Sequence, residues 1–350
     1  GRIAPMEACV SHDAALRWLL GNPNPLATGQ GHPCADALPS RAPTDEEADA
    51  LAHAAGAQTV DVLVRDKSGM RKTDRLHAHL ETSTLPGRSL IRMEAFTICT
   101  PELVFLQVAA TSDLLETIAC GYALCSAYRL DASTRGGVRI RKHGDAPLTS
   151  TQRIAHYLEL CDGVRGVARA RRALRYVVDN SFSPMESGIA MCLSLPLNLG
   201  GHALGDVVLN PKLKVRVGTD AHGRRVYETR RPDLLVTRAL PTGERRQAAV
   251  DFDSVAVHSS RRDHARDAAR RNELQSSFGM PHFTLTGSQA TDFVAFCRFI
   301  DLVRISLGQR RKDFSRGGGE RDRKRLENVR HRQFELWLRF VSGAARAIGR

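Results

Sequence analysis

Two short apolar runs, each meeting an aspartate, constrain this chain more than any other feature. Leu234-Leu235-Val236 follows Pro232-Asp233, and Ala248-Ala249-Val250 leads into Asp251-Phe252-Asp253. Both read as β-strands, and Pro241-Thr242-Gly243-Glu244-Arg245-Arg246 between them reads as a hairpin turn or loop. Neighbouring strands with aspartates at their ends bring the carboxylates together. Such closeness is costly unless a cation neutralises it, and hard divalent ions such as Mg²⁺ take oxygen ligands of this kind. A metal centre is therefore one reading of the pair, and two solvated strand ends is the other.

A chain of 350 residues has room for two domains, or for one with extensions, and 42% hydrophobic content supports a core. The balance is basic, 51 Lys and Arg against 38 Asp and Glu, a formal charge of +13. Much of the excess is local, because residues 309–350 hold 13 basic and 5 acidic side chains. Such a balance suits nucleic acid or an anionic surface, and arginine-rich coding in GC-rich genomes produces it too. The eight cysteines are scattered without a CxxC pair and sit in apolar helical patterns. They read as small buried hydrophobes of a reducing compartment. With no signal peptide and no long apolar run, a cytoplasmic location and no membrane contact are expected.

In chain order, residues 1–45 are Gly-, Pro- and Ala-rich and are expected to be partly disordered, with a short helix capped by Ser11. Thr44-Asp45-Glu46-Glu47 opens a capped helix. Residues 46–179 read as a mixed α/β and helical region. Val60–Val64 and Leu76–Leu80 are strands, Leu90–Met93 and Phe96–Cys99 a hairpin, and a helix starts at Thr100-Pro101-Glu102. A further helix is predicted over Ser112–Tyr128, a mobile basic loop over Asp131–Pro147, and helices over Thr149–Leu160 and Gly166–Val178. His77 and His79 share a strand face, as ligands or as half-exposed strand residues. Arg169 and Arg172 belong to a basic helix face that either tracks phosphates or is simply solvated.

Residues 180–308 carry the chemistry. Ser183-Pro184-Met185-Glu186 is a helix start with Glu186 three residues after its cap, a capping box that needs no catalytic role. Strands are predicted at Val207–Asn210 and Lys212–Val217, then come the two aspartate strands and a helix over His264–Ser276.

That succession resembles the PD-(D/E)XK nuclease superfamily, in particular its very-short-patch-repair-like branch with the DUF559 domain. The corresponding residues are Ser183 with Glu186, Asp233-Leu234, Asp251-Phe252-Asp253-Ser254, His258, Asp267 with Arg270 and Arg271, and Gly279. Upstream, Ser11–Leu16 and Thr100–Leu103 are similar to the front region of AbiEi-type antitoxins, a combination that resembles a group of actinobacterial proteins. Together the likenesses cover most of residues 10–305. They imply a restriction-endonuclease-like α/β domain behind a mixed α/β region. They also imply a Mg²⁺ ion on Asp233 and Asp251, with Glu186 joining directly or through water. His258 would activate or orient the water, while Arg270 and Arg271 would stabilise phosphate charge or anchor Asp253 and Asp267. Two departures stand out. The family's usual Glu is Asp251, and Asp253 occupies the place of the superfamily Lys.

Three functions follow as expectations. One is a divalent-metal-dependent DNA endonuclease of repair, restriction or defence. Another is a DNA-binding regulator of antitoxin type, catalytically silent and paired with a cognate toxin or other protein. A scaffold whose acids are structural is the third. Residues 309–350 form a basic helical tail, with a flexible linker at Gly317–Gly319 and an amphipathic helix over Leu326–Ile348. The tail would add salt-dependent phosphate affinity, dock on a partner, or dock on the protein itself.

Overall fold

The computed structural model describes residues 6–22, 32–34, 38–55, 57–134, 136–141, 147–253, 273, 276–310 and 319–344. The chain is a mixed α/β protein of two compact units. Gly1–Thr134 and Val138–Val177 form the first, and Val178–Arg350 with Arg135–Gly137 the second.

In the first unit the strands are β1 (Cys9–Val10), β2 (His32–Cys34), β3 (Val60–Val64), β4 (Leu76–Leu80), β5 (Leu90–Arg92) and β6 (Thr97–Cys99). They form one mixed sheet in the order β2-β5-β6-β1-β3-β4. Helices α1 (His12–Gly21), α2 (Asp45–Ala55), α3 (Pro101–Thr111), α4 (Leu114–Leu124), α5 (Thr151–Glu159) and α6 (Val167–Leu174) complete it. α3 is apolar on nearly all sides and buried accordingly, with Thr100 capping its start by accepting the Leu103 N–H. Thr44 and Glu47 form the expected reciprocal cap of α2, Thr44 N–H to Glu47 at 2.7 Å and Glu47 N–H to the Thr44 hydroxyl at 3.3 Å.

Two expectations fail in this unit. The helix predicted to reach Tyr128 stops at Leu124, because the Ser126 hydroxyl bonds the Ala123 and Tyr128 carbonyls and diverts the backbone. Tyr128 instead begins β7 (Tyr128–Leu130), which pairs antiparallel with β8 (Val138–Ile140) inside the predicted mobile loop. Asp131 closes that hairpin by accepting from Ser133, Arg129 and Arg139. Bonds from Ser133 and Arg139 hold its carboxyl below the usual carboxylate range.

The second unit starts with α7 (Pro184–Ser194) and continues through β9 (Asp206–Leu209), β10 (Leu213–Thr219), β11 (Arg225–Arg230), β12 (Leu234–Ala239), β13 (Arg245–Asp253) and β14 (His282–Thr286). β14, β13, β12 and β9 form a four-stranded sheet in that order. β9 and β13 both run antiparallel to β12 between them, and β14 lies parallel to β13. α7 packs on β9 and β12, while α9 (Phe293–Ser306), which follows the short α8 (Gly287–Thr291), packs on β13 and β14. β10 and β11 pair only with each other among the described residues. β11 was not legible in the sequence: Arg225–Thr229 is exposed throughout and shows no apolar alternation. The predicted helix His264–Ser276 lies largely outside the described residues.

The tail helix α10 (Glu320–Trp337) starts six residues before the predicted Leu326 and ends in a π-helical turn over Leu338–Ser342. It docks on the second unit itself. Trp337 Nε1 donates to the Ala290 carbonyl at 2.9 Å, and Phe293, Phe334 and Trp337 pack as an aromatic trio. Gly188 of α7 admits this contact, since a Cβ there would lie 2.1 Å from the Phe340 carbonyl oxygen. Trp337→Ala should lower unfolding free energy by about 3–5 kcal/mol in urea titrations, the cost of emptying a large buried aromatic site; a loss under about 1 kcal/mol would contradict this docking.

Candidate functional site

The site forms where α7 begins and where β9, β12 and β13 meet. Ser183 caps α7 by accepting the Glu186 N–H at 3.2 Å, and its hydroxyl donates to Glu186 Oε1 at 3.0 Å. The return bond to Glu186 Oε2 comes from the Phe182 N–H at 2.9 Å, one residue before the cap. A third donor, Asn210 Nδ2, reaches the same oxygen at 2.7 Å. Asn210 follows β9 with φ 50°, a left-handed turn that Asn tolerates better than most residues. Its amide also donates to the Asn180 carbonyl, and Asn180 returns a bond to the Leu209 carbonyl. Glu186 is thus buried among donors. Burial raises its carboxyl above the ordinary Glu value, with a smaller contribution from the Asp251 charge, and the three hydrogen bonds oppose the rise.

The β12–β13 register sets Leu234 against Val250, so Asp233 stands across from Asp251. Each carboxylate accepts a backbone N–H of the other strand: Asp233 N–H to Asp251 Oδ1 at 2.9 Å, and Phe252 N–H to Asp233 Oδ2 at 2.8 Å. The Asp233 carbonyl in turn accepts the Asn210 N–H at 2.8 Å, tying β9 to the same point. From β14, His282 Nε2 lies 2.9 Å from Asp251 Oδ2, with its side chain only 3% exposed. Its Nδ1 is buried with no hydrogen-bond partner among the described residues. With no acceptor for Nδ1 among the described residues, the neutral tautomer that fits carries its proton on Nε2, donated to Asp251. Asp251 is thereby held through both oxygens.

Of the predicted acids, Asp233 and Asp251 meet across β12 and β13, and Glu186 lies within electrostatic reach of Asp251. Asp253 ends β13 half-buried beside Thr286, two residues along the strand and so on the Asp251 face. His258, Arg270 and Arg271 lie outside the described residues. Arg169 and Arg172 belong to the first unit. Arg169 donates to the Ala109 and Ser112 carbonyls at the end of α3, whereas Arg172 is exposed. His77 and His79 are half-exposed, with His79 Nε2 2.8 Å from Asp61 and stacked on His12. Asn210 and His282 are the site residues that sequence reasoning missed. Their only signal was a polar side chain at the end or start of an apolar strand.

No family model, no curated protein and no solved structure matches this chain. Among the described residues, no three His, Cys, Asp or Glu side chains converge closely enough to hold a metal by themselves. The chemistry of the donor set nonetheless suits a hard cation: two adjacent strand-end carboxylates with a third acid close enough to feel the charge of one of them. Magnesium keeps several waters and uses only one or two carboxylates, so two fixed protein ligands fit it.

Glu186→Gln keeps the acceptor for Phe182 and Asn210 and removes the charge. Because the Glu186 carboxyl is raised on folding, its contribution is fully present below the ordinary value of 4.5 and is lost as pH rises through the raised one. Stability of the wild type relative to Glu186→Gln, measured by urea titration with a chelator present, should fall as pH rises above about 4.5 and then level off. A relative gain on raising the pH would contradict that environment. Glu186→Ala, which strands buried donors, should cost roughly 1–3 kcal/mol below pH 4.5, where the wild-type contribution is fully present, and less as the pH rises.

Proposed function

We propose that Asp233 and Asp251, with Glu186 beside them, bind Mg²⁺ and that the second unit hydrolyses phosphodiester bonds in DNA, as a nuclease of PD-(D/E)XK type acting in repair, restriction or defence. The observation that carries this reading is the interlocked pair at the ends of β12 and β13, formed by the two strands for which the resemblance implies metal ligands. The chain order also supports it, with an acid-bearing helix, an antiparallel run of strands and a last strand parallel to the third.

A bound ion would polarise the scissile phosphate and lower the pKa of an attacking water. The chain's own part is to hold the carboxylates in place. The Asp233 and Phe252 N–H groups fix one oxygen of each, and the His282 Nε2–H fixes the second oxygen of Asp251. Glu186 lies within electrostatic reach of Asp251, and its burial among donors places a third acid beside the pair, a grouping that a cation would relieve. Water activation would fall to His258, and phosphate charge to Arg270 and Arg271, as the resemblance implies.

One observation favours a second reading. Asp253 stands where the superfamily places Lys, so that position supplies no positive charge to the phosphate. On that account the unit binds DNA without cutting it, as an antitoxin-type regulator with a protein partner.

Cleavage of supercoiled plasmid with Mg²⁺ or Mn²⁺ separates the two. Metal-dependent nicking that falls at least 100-fold in Asp233→Ala is the expected result. Nicking that survives the substitution would remove Asp233 from the site, and DNA retention without nicking would transfer the function to the regulator.

A further inference from the structure

The charge of this chain is concentrated in two places. Between Pro211 and Arg231 lie seven Lys and Arg and two acids, which with the 13 and 5 of the tail account for the whole excess of +13. The rest of the chain is balanced. The first of these segments is the β10–β11 ribbon, and its cations are sorted by face. Val215 points inward and is fully buried with Leu235, Ala249 and Met280, with Leu213 and Val217 packed alongside. Strand alternation therefore sends Lys214 and Arg216 outward. The register places Thr229 beside Lys214 and Tyr227 beside Arg216, and Arg225 follows two residues from Tyr227. Lys214 Nζ lies over the Tyr227 ring, 5.1 Å from its centre.

Neither acid belongs to this outward face. Glu228 is paired with Val215 in the register and bridges Arg230 at 2.7 Å. Asp220 closes the turn by accepting the His222 and Arg224 N–H groups. Gly218–Thr229 is exposed along its whole length. A register shift between Arg216 and Gly218 adds the twist of a bulge. The result is an exposed, twisted two-stranded ribbon roughly 20 Å long, and the major groove of duplex DNA, about 12 Å wide, admits such a ribbon.

Its root fixes where it stands. Leu235 and Ala249, which cover Val215, are two residues along their strands from Asp233 and Asp251, on the same sheet face. The ribbon rises beside the acid pair.

We infer that the β10–β11 ribbon is a duplex-DNA docking element, laying Lys214, Arg216, Arg225 and Tyr227 against the groove and its phosphates next to the Asp233–Asp251 centre. This rests on the reading of the second unit as a DNA-handling domain, and it is independent of whether the unit cuts.

The test uses the full chain, a fluorescein-labelled duplex spanning two helical turns, and EDTA to remove any metal contribution. Anisotropy is read over a range of salt concentrations. The triple variant Lys214→Ala, Arg216→Ala, Arg225→Ala is expected to lose at least tenfold in affinity. Its plot of log K against log salt should be shallower by about 0.9 for each phosphate contact removed. The charge-preserving triple Lys214→Arg, Arg216→Lys, Arg225→Lys should retain binding, and an unchanged melting curve for both shows that they fold. Equal affinity and slope in the alanine triple, or no duplex binding by the wild type, would overturn the inference. The plasmid assay keeps the two claims apart. Ribbon-dependent binding without nicking supports the ribbon and removes the hydrolytic reading, whereas nicking at the wild-type rate in the alanine triple does the reverse.

Discussion

The second unit depends on an exchange of hydrogen bonds at one end of its sheet. Asp233 and Asp251 each accept a peptide N–H from the opposite strand, so the last rung of the β12–β13 ladder is made by side chains. Two carboxylates drawn together in this way repel each other, and charge-assisted bonds from backbone N–H groups offset that repulsion. The surrounding residues serve the same point. His282 takes the other oxygen of Asp251, the Asn210 N–H takes the Asp233 carbonyl, and the Asn210 side chain holds Glu186. A helix cap, a left-handed turn, a hairpin and a parallel strand all meet there.

What the sequence revealed of this arrangement was its local part. The α7 cap and the β12–β13 hairpin are written in residues a few positions apart, and hairpin pairing brings Asp233 to Asp251 without help from the rest of the fold. Asn210 and His282 act across 24 and 31 residues, and no periodicity announces a partner at that distance. The sequence supplied His258 as the histidine of the site. The described residues supply His282, which reaches Asp251 only because β14 runs parallel to β13. Strands β8 and β11 escaped notice for a different reason: both are mostly exposed ribbon strands whose polar residues carry no alternation.

Charge and packing divide the labour within the second unit. The tail contributes much of the positive charge, yet its helix is anchored by Trp337 and Phe334, and Gly188 and Gly200 let its backbone and the turn after it approach closely. The ribbon has the opposite character. Its root is apolar and its body is exposed cation, a combination that favours contact with a large anion over burial in the fold. The proposed cation site and the proposed phosphate-binding ribbon would be mutually consistent parts of one nucleic-acid-handling surface.

The central claim is that the Asp233–Asp251 pair is a cation site, and titration of Mn²⁺ into the apo protein by calorimetry tests it without requiring turnover. Asp251→Asn is the matching variant, because its amide oxygen can still accept the Asp233 N–H while the ligand charge is removed. Saturable Mn²⁺ binding is expected in the wild type, weakened at least tenfold in Asp251→Asn, with Mg²⁺ competing for the same site. Equal binding by both proteins, or no binding by either, would contradict it.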